Sequence, residues 1–252
     1  MHETVSLVFI ATGVTIDNAY SRCNMNDSLE RLKTVRQRIE KACIEAGRHA
    51  DEVSLLAVSK RHSPNKIITF NKLGIVSFGE NQLQEALDKQ KELSGLDLEW
   101  HFIGTIQSNK THAIADNFQW VQSVDRRKVL NRLSNHRPES LGPLNICLQV
   151  NIDEEPQKAG ASPEEIMQLA MLAEGLANIR LRGLMAIPRM TDNVAEQRAS
   201  FKKVRELFEK LKAAGHDLDT LSMGMSADLE AAIAEGSTMV RIGTDLLGVR
   251  KT

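Results

Sequence analysis

Cysteine is scarce in this chain of 252 residues, which contains only Cys23, Cys43 and Cys147. The odd count and the wide spacing match neither a disulfide framework nor a zinc-binding pattern. Buried or tolerated thiols in a reducing compartment are the simplest interpretation. The sequence therefore predicts a cytoplasmic protein without a disulfide scaffold or a metal site.

A surplus of charge of either sign is also missing. Lysine and arginine together number 32, aspartate and glutamate number 33, and the pI is near 6.7. This balance lacks the basic bias that is typical of proteins binding nucleic acid or anionic membranes. We therefore expect neither among the partners of this protein.

Long apolar runs are missing as well. The stretch VSLVFIATGV, residues 5–14, is about half as long as the ~20 residues that a membrane-spanning helix needs. No lysine or arginine precedes it, so it lacks the basic flank of a signal peptide. We predict that residues 1–24 are an N-terminal extension, either disordered or the product of a misassigned start site, and that residues 25–252 form one domain. A weak membrane anchor is the alternative interpretation of the extension.

What the chain does contain is a regular alternation of two hydrophobic patterns. Short apolar runs typical of buried strands alternate with stretches whose apolar residues recur every three or four positions, as in helices. The first such helix, predicted over residues 26–46, has Leu32, Val35, Ile39 and Cys43 on one face. The predicted strands lie near residues 53–59, 74–79, 99–104, 120–124, 144–151, 181–187, 219–224 and 238–243.

Three of the intervening helices carry clear start signals. Ser63 and Pro64 combine a cap with a first-turn proline. Ser162 and Glu165 stand three positions apart, as in a capping box. A polar pair at residues 192–193 precedes a long amphipathic segment.

The order of these elements predicts the fold. Strands separated by helices pair in parallel, because a parallel connection needs a crossover. Eight such units close into a (β/α)8 TIM barrel of the α/β class, and the chain length suits a single domain of this kind. A doubly wound open sheet is the alternative.

In such a barrel the functional site lies at the carboxyl ends of the strands. Gly224 and Ser226 follow the seventh predicted strand, and Gly243 and Thr244 follow the eighth. Loops at these two positions commonly hold a phosphate in barrels. An ordinary helix cap at Ser226 and an ordinary turn at Gly243 are the simpler alternatives.

Lys60 follows the first predicted strand, in the stretch SLLAVSKRHSP. A lysine that projects from a strand end toward a phosphate site can form a Schiff base with an aldehyde or a ketone. The ligand would then be a phosphosugar, as in aldolases, or pyridoxal 5′-phosphate (PLP). Arg241, on the eighth strand, favours PLP because arginine is one of the two usual partners of the pyridine nitrogen. Arginine can only donate a hydrogen bond, so the pyridine nitrogen would stay unprotonated and the cofactor would be a weaker electron sink. A surface ion pair is the alternative role for Arg241.

At these residues the sequence resembles a known family, the PLP homeostasis proteins (YggS/PROSC family). The motifs occur in order and span residues 26–248: AVSK, FGEN, WHFIGTIQSNK, VDR, LQVNI with KAG, RGLMAIP, LSMGMSADLEAAI and STMVRIGT. The resemblance implies a PLP-binding (β/α)8 barrel related to the N-terminal domain of bacterial alanine racemase. The segment 1–24 has no counterpart in that pattern.

The resemblance also implies roles for individual residues. Lys60 matches the lysine that forms the PLP aldimine, Arg241 matches the arginine at the pyridine nitrogen, and Asn81 matches a residue beside the ring. The remaining cofactor-binding positions are assigned to the phosphate: Ser226, Gly243 and Thr244 form its cup, and Met223 and Gly224 line the approach to it.

Lys158, in the KAG motif, is a second lysine expected near the same mouth. We hypothesise that it exchanges PLP by transimination. A solvated loop lysine is the alternative interpretation.

Binding PLP does not by itself imply catalysis. A racemase of the related type uses a tyrosine from a second domain as its other acid or base, whereas Tyr20 is the only tyrosine here and no residues follow Thr252. His101 lies mid-strand, where a packed histidine is the simpler interpretation. We therefore predict a monomeric carrier and buffer without strong catalytic activity, which delivers PLP to apo-enzymes. A PLP-dependent racemase of low activity is the first alternative, and an aldolase of the Schiff-base class is the second.

Overall fold

The computed structural model describes the backbone of residues 9–249 and the side chains of residues 25–249. Residues 1–8 of the predicted extension therefore lie outside the described residues. For residues 9–24 the backbone is described and the side chains are not. It stays a prediction.

Eight strands alternate with helices along the described chain, as the hydrophobic pattern predicts. The strands are β1 Ser54–Val58, β2 Ser77–Glu80, β3 Glu99–Phe102, β4 Trp120–Val124, β5 Leu144–Val150, β6 Ile179–Ala186, β7 Thr220–Ser222 and β8 Met239–Ile242. The helices are α1 Phe9–Glu45, α2 Pro64–Lys72, α3 Leu83–Glu92, α4 Thr111–Asn117, α5 Arg127–His136, α6 Pro163–Glu174, α7 Val194–Ala213, α8 Leu229–Ala234 and α9 Thr244–Leu247.

All eight strands pair in parallel and in chain order, and β8 pairs with β1 to close the sheet. The register at the closure joins Leu56 to Arg241 and Ala57 to Ile242. An open doubly wound sheet would leave two unpaired edges, so it is excluded. The (β/α)8 barrel is confirmed.

Helix starts follow local chemistry. Ser162 Oγ accepts the backbone N–H of Glu165, whose side chain accepts the N–H of Ser162 in return, which is the predicted capping box. The Asn193 side chain caps α7 at its first turn. Ser63 precedes α2 without a side-chain cap, and Pro64 supplies the first-turn proline.

Helix α1 begins earlier than the predicted position 26. Asp27, which looks like part of a helix start in the sequence, lies inside the helix and pairs with Arg31 one turn later at 2.9 Å. Leu32, Val35 and Ile39 are buried against the barrel, as predicted. This face of α1 packs against α8 and α9, so the first helix fills the outer ring where the last helix is short.

Within residues 9–249, no helix is long and apolar enough to cross a membrane.

Candidate functional site

A cavity of about 830 Å³ opens at the carboxyl ends of the strands. Seven of the nine predicted site residues line it: Lys60, Asn81, Lys158, Ser226, Arg241, Gly243 and Thr244. They come from five different strand-to-helix connections and the end of β8, so only closure of the barrel brings them together.

The cavity is positively charged. Its lining includes the cationic side chains of Lys60, Lys158 and Arg241, while the described lining contains no aspartate or glutamate. An excess of positive charge in a partly enclosed space favours an anionic ligand.

Lys60 follows β1 by two residues, and a buried cluster under α3 holds the backbone on both sides of it. Lys89 Nζ donates to the carbonyl oxygen of Ser59 at 2.8 Å, which fixes the peptide bond before Lys60. Glu85 Oε1 accepts the backbone N–H of Arg61 at 2.5 Å, which fixes the peptide bond after it. Arg61 has a φ of 60°, a conformation that non-glycine residues adopt only when their surroundings impose it.

Glu80 completes this cluster. Its Oε1 accepts hydrogen bonds from Ser59 Oγ at 2.6 Å and from Lys89 Nζ at 2.7 Å. Glu80 is fully buried, and this burial raises the pKa of its carboxyl although Lys89 and Ser59 act against the rise. Sequence reasoning missed the cluster; the available signal was Glu80 itself, a carboxylate at the end of a short buried strand.

Arg241 lies on β8 with only 4% of its surface exposed. Its Nη1 donates to the carbonyl oxygen of Ser222 at 2.6 Å and to Ser222 Oγ at 2.8 Å, and its Nη2 donates to the carbonyl oxygen of Ala186 at 2.9 Å. Burial lowers the pKa of Arg241 to about 10, while the charge of Asp228 raises it. The guanidinium therefore remains protonated at neutral pH and presents only donors to the cavity.

Two loops from the adjacent strands β7 and β8 form the part of the mouth next to β1. Ser226 follows β7, and Gly243 and Thr244 follow β8. Arg38 of α1 ties both loops together, because its Nη2 donates to the carbonyl oxygen of Ser226 at 2.8 Å and its Nη1 pairs with Asp245 at 2.7 Å. Sequence reasoning did not single out Arg38, since nothing in its helical spacing separates it from the neighbouring surface arginines.

Met223 and Gly224 are not among the residues that line the cavity. Met223 is fully buried. Gly224 has a φ of 96°, and a Cβ atom there would lie 2.6 Å from Ala232 Cβ. Its carbonyl oxygen accepts the backbone N–H of Arg241 at 3.0 Å. The structure thus places both residues in the support of the loop that leads to Ser226.

Lys158 reaches the cavity from the loop between β5 and α6. Its Nζ donates to the carbonyl oxygen of Pro188 at 3.0 Å and lies 2.7 Å from Glu155 Oε1, as an ion pair without aligned hydrogen-bond geometry. Asn151 closes the same loop by bonding the backbone of Glu155. Lys158 is therefore held at the rim by defined contacts.

His101 does not reach the cavity. Its side chain is fully buried inside the barrel and stacks on Trp120 with ring centroids 5.2 Å apart. This is the packed histidine that its mid-strand position predicts. No cluster of three or more potential metal ligands occurs among the described side chains.

Comparison with known proteins first identifies the class. The chain matches the family described as "Alanine racemase, N-terminal domain" over residues 23–251. An alanine racemase of Clostridium difficile superposes with a TM-score of 0.71 at 15% identity, covering 88% of this chain and 56% of that chain, which shows a shared fold.

Closer relatives narrow the class. A "pyridoxal phosphate homeostasis protein" of Pseudomonas aeruginosa is 54% identical over 226 residues, which are 90% of this chain and 97% of that protein. The protein of the same name from Escherichia coli K12 is 44% identical over 229 residues, covering 90% and 98%. The structure of PipY of Synechococcus elongatus, with PLP bound, is 36% identical with a TM-score of 0.77, covering 88% of this chain and 100% of that chain. The chain belongs to the pyridoxal phosphate homeostasis protein family, within the alanine racemase N-terminal domain group.

Proposed function

We propose that this protein binds PLP as an aldimine of Lys60 and serves as a carrier and buffer in PLP homeostasis, handing the cofactor to apo-enzymes. One observation carries the proposal: a positively charged cavity joins Lys60, the buried donor Arg241 and the two loops with Ser226, Gly243 and Thr244. These groups fit an aldehyde that bears a phosphate and a ring nitrogen. The relatives named for PLP homeostasis support the same assignment.

Each residue has a defined task in this proposal. Bound PLP supplies a reactive aldehyde carbon and an electron-accepting ring. The Lys60 amine attacks that carbon, a C=N bond forms and one water molecule leaves. Ser226, Gly243 and Thr244 bind the phosphate, and Arg241 donates to the ring nitrogen. A donor that cannot release its proton keeps that nitrogen unprotonated, which limits carbanion chemistry.

A carrier is favoured over a racemase by the proton-carrying groups at the cavity. Stereochemical inversion needs one acid or base on each face of the reacting carbon, and Lys60 supplies one. Among the described lining residues, Lys158 is the remaining side chain of a type that serves as a general acid or base, since there is no tyrosine, histidine, cysteine, aspartate or glutamate. The alternative, a racemase of low activity, therefore depends on Lys158.

Absorption spectra test the binding mode. The wild-type protein reconstituted with PLP is expected to show the visible band of an imine, and Lys60→Ala is expected to lose it. Lys72→Ala, an exposed lysine at the end of α2, is the matched control and should keep the band. A band that persists in Lys60→Ala with unchanged position and intensity contradicts the assignment of Lys60.

Proton exchange separates the carrier from the racemase. In deuterated water, a carrier incorporates no deuterium at the α-carbon of D- or L-amino acids beyond the rate of free PLP. Incorporation at enzyme-like rates that is lost in Lys158→Ala would establish the racemase instead.

The remaining details of the proposal concern the cellular setting. We propose that the protein is a monomer and that it is located in the cytoplasm. The location is supported by Cys43 and Cys147, which are free buried thiols of the kind that persist in a reducing compartment. Light scattering of the purified protein measures its mass and tests the monomer directly.

A further inference from the structure

A continuous line of side-chain hydrogen bonds runs through the interior of the barrel, away from the cavity. It starts at Arg241, whose Nη1 lies 2.8 Å from Ser222 Oγ at the end of β7. Ser222 Oγ lies 2.7 Å from Gln122 Oε1 on β4, and Gln122 Nε2 lies 2.9 Å from His101 Nδ1 on β3. His101 Nε2 then lies 2.8 Å from Glu99 Oε1 at the first residue of β3, on the opposite end of the barrel. We call Ser222, Gln122, His101 and Glu99 the barrel relay.

The direction of every bond in the barrel relay follows from its two ends. The Arg241 guanidinium can only donate, so Ser222 Oγ accepts from it and gives its own proton to Gln122 Oε1. The other side of the Gln122 amide is its NH2 group, which donates to His101 Nδ1. His101 must then carry its proton on Nε2, where it donates to the Glu99 carboxylate. All the donors therefore point away from Arg241 and toward Glu99.

This alignment connects a buried cation to a carboxylate without direct contact between them. The three hydrogen bonds of the Arg241 guanidinium go to neutral oxygens, those of Ser222 and Ala186. The aligned dipoles of the barrel relay turn their negative ends toward Arg241 and their positive ends toward Glu99. Bonds in a chain of this kind polarise one another in the low-dielectric interior.

Burial makes the barrel relay costly to interrupt. Ser222, Gln122 and His101 are each fully buried, and none of their polar side-chain atoms lacks a partner in the described structure. Removing one member leaves the next donor or acceptor unsatisfied, so the others must reorient. A flip of the Gln122 amide would oppose two acceptors at His101 and two donors at Ser222.

We propose that the barrel relay is a set of positioning residues that fixes the orientation of the Arg241 guanidinium toward the ring nitrogen of the bound ligand. The inference rests on the proposed function for the identity of that ligand, while the hydrogen-bonded chain exists in the protein without it. Glu99, at the far end of the barrel, thereby influences the electronic state of a ligand at the mouth.

The first test needs no ligand. Nitrogen-15 NMR of the apo-protein reports which ring nitrogen of His101 carries the proton, and the Nε2–H form is expected. Gln122→Met, which keeps the side-chain size but removes both amide groups, is expected to shift the His101 Nδ1 resonance. A His101 protonated at Nδ1 in the wild type overturns the barrel relay whatever the protein binds.

The second test uses the spectrum and affinity of bound PLP. His101→Phe keeps a ring for stacking on Trp120, and Ser222→Ala removes one hydroxyl. Each is expected to shift the visible absorption maximum and to weaken PLP binding about tenfold, which corresponds to about 1.4 kcal/mol. His216→Phe is the matched control, because His216 is another buried histidine, paired with Glu174 between α7 and β7, and it should change neither quantity.

The double variant distinguishes a connected chain from separate structural effects. If the barrel relay acts as a unit, Ser222→Ala with His101→Phe costs no more affinity than the larger single change. Additive losses, or single variants whose spectra equal that of the wild type, overturn the proposal. If His101→Phe or Gln122→Met fails to fold, the visible absorption maximum of Ser222→Ala is compared with that of the wild type. An unshifted maximum in Ser222→Ala then overturns the proposal. A missing visible band in every protein, wild type included, would instead contradict the proposed function.

Discussion

The ammonium group of Lys89 lies 2.8 Å from the carbonyl oxygen of Ser59, the residue that immediately precedes Lys60. The same ammonium group pairs with Glu80 and Glu85, each at 2.7 Å. Lys89 and Glu80 are both buried, so a basic side chain of α3 and an acidic side chain of β2 together support the strand end that carries the candidate ligand-binding lysine.

Because of this arrangement, we expect the stability of the fold to depend on Lys89. Lys89→Met leaves Glu80 buried without its counter-ion and is expected to lower the free energy of unfolding by about 3–5 kcal/mol. Adding Glu80→Gln removes the unpaired charge and should recover most of the loss. Urea denaturation measures both, with Lys91→Met on the exposed side of α3 as the control. Equal stability of Lys89→Met and Lys91→Met would contradict the expectation.

Gly224 is expected to tolerate no side chain. Gly224→Ala imposes a φ of 96° on a non-glycine residue and brings Cβ within 2.6 Å of Ala232 Cβ. The strained backbone alone costs about 1–3 kcal/mol, and the displaced loop should also weaken PLP binding through Ser226. Gly95→Ala is the matched change, because nothing lies within 4 Å of a Cβ there. Thermal denaturation should separate the two variants clearly, and a Gly224→Ala protein as stable as Gly95→Ala refutes the prediction.

Arg38 is expected to act on the ligand site from outside it. Arg38→Met removes the guanidinium group that binds both the Ser226 carbonyl and Asp245, so the two loops lose their shared contact. The variant should bind PLP about tenfold more weakly, or by about 1.4 kcal/mol. Arg38→Lys should recover little, because a single ammonium group cannot reproduce the fork that reaches both loops. Fluorescence titration with PLP provides the affinities. Arg36→Met, on the exposed side of the same helix, serves as the reference and should bind PLP as the wild type does.

Acid stability depends on Glu99. Its hydrogen bond with His101 is the largest cause that lowers the pKa of Glu99 from 4.5 to about 2. Because the folded pKa lies below the unfolded value, the carboxylate stabilises the fold above about pH 4.5, and that contribution is lost as the pH falls toward 2. Glu99→Gln should therefore show a shallower fall of Tm between these values than the wild type. Glu92→Gln, an exposed carboxylate of α3, should retain the wild-type slope; identical slopes for all three proteins would argue against this role of Glu99.

Lys158 is expected to govern the rate of PLP release more than the amount bound. Its position at the cavity rim would let a second amine attack the bound carbon before water does. Lys158→Ala should slow transfer to an apo-enzyme by tenfold or more, since one positioned catalytic group contributes typically ~10²-fold. Stopped-flow spectroscopy follows the transfer, and Lys110→Ala is an exposed lysine control. Unchanged transfer rates in Lys158→Ala would rule out exchange through this residue.

The predicted site residues that reach the cavity share one property. Except for Lys158, which lies further along the loop between β5 and α6, each lies at or just after the carboxyl end of a strand, and parallel strands bring those ends to the same face. The prediction of Lys60, Ser226, Gly243 and Thr244 therefore needed only the count and direction of the strands. Asn81 and Lys158 needed the family resemblance, because nothing in their local sequence separates them from ordinary loop residues.

Met223 and Gly224 mark the limit of this reasoning. They precede Ser226 in the same motif and follow the end of β7 at Ser222, but neither is among the residues that line the cavity. Adjacency in sequence did not reveal which residues of the loop line the cavity and which support the loop.

By itself, the sequence determined the alternation of eight strands and their helices, the helix caps, and the face of α1 that packs on the barrel. These features depend on local periodicity and on side chains within a few positions of one another. Only the tertiary structure decided that Lys89 supports the backbone at Lys60, and that Glu99, His101, Gln122 and Ser222 connect across the barrel to Arg241. The contacts of Gln122 with Ser222 span 100 residues, and their partners are set by the closure and stagger of the strands, which no local pattern encodes.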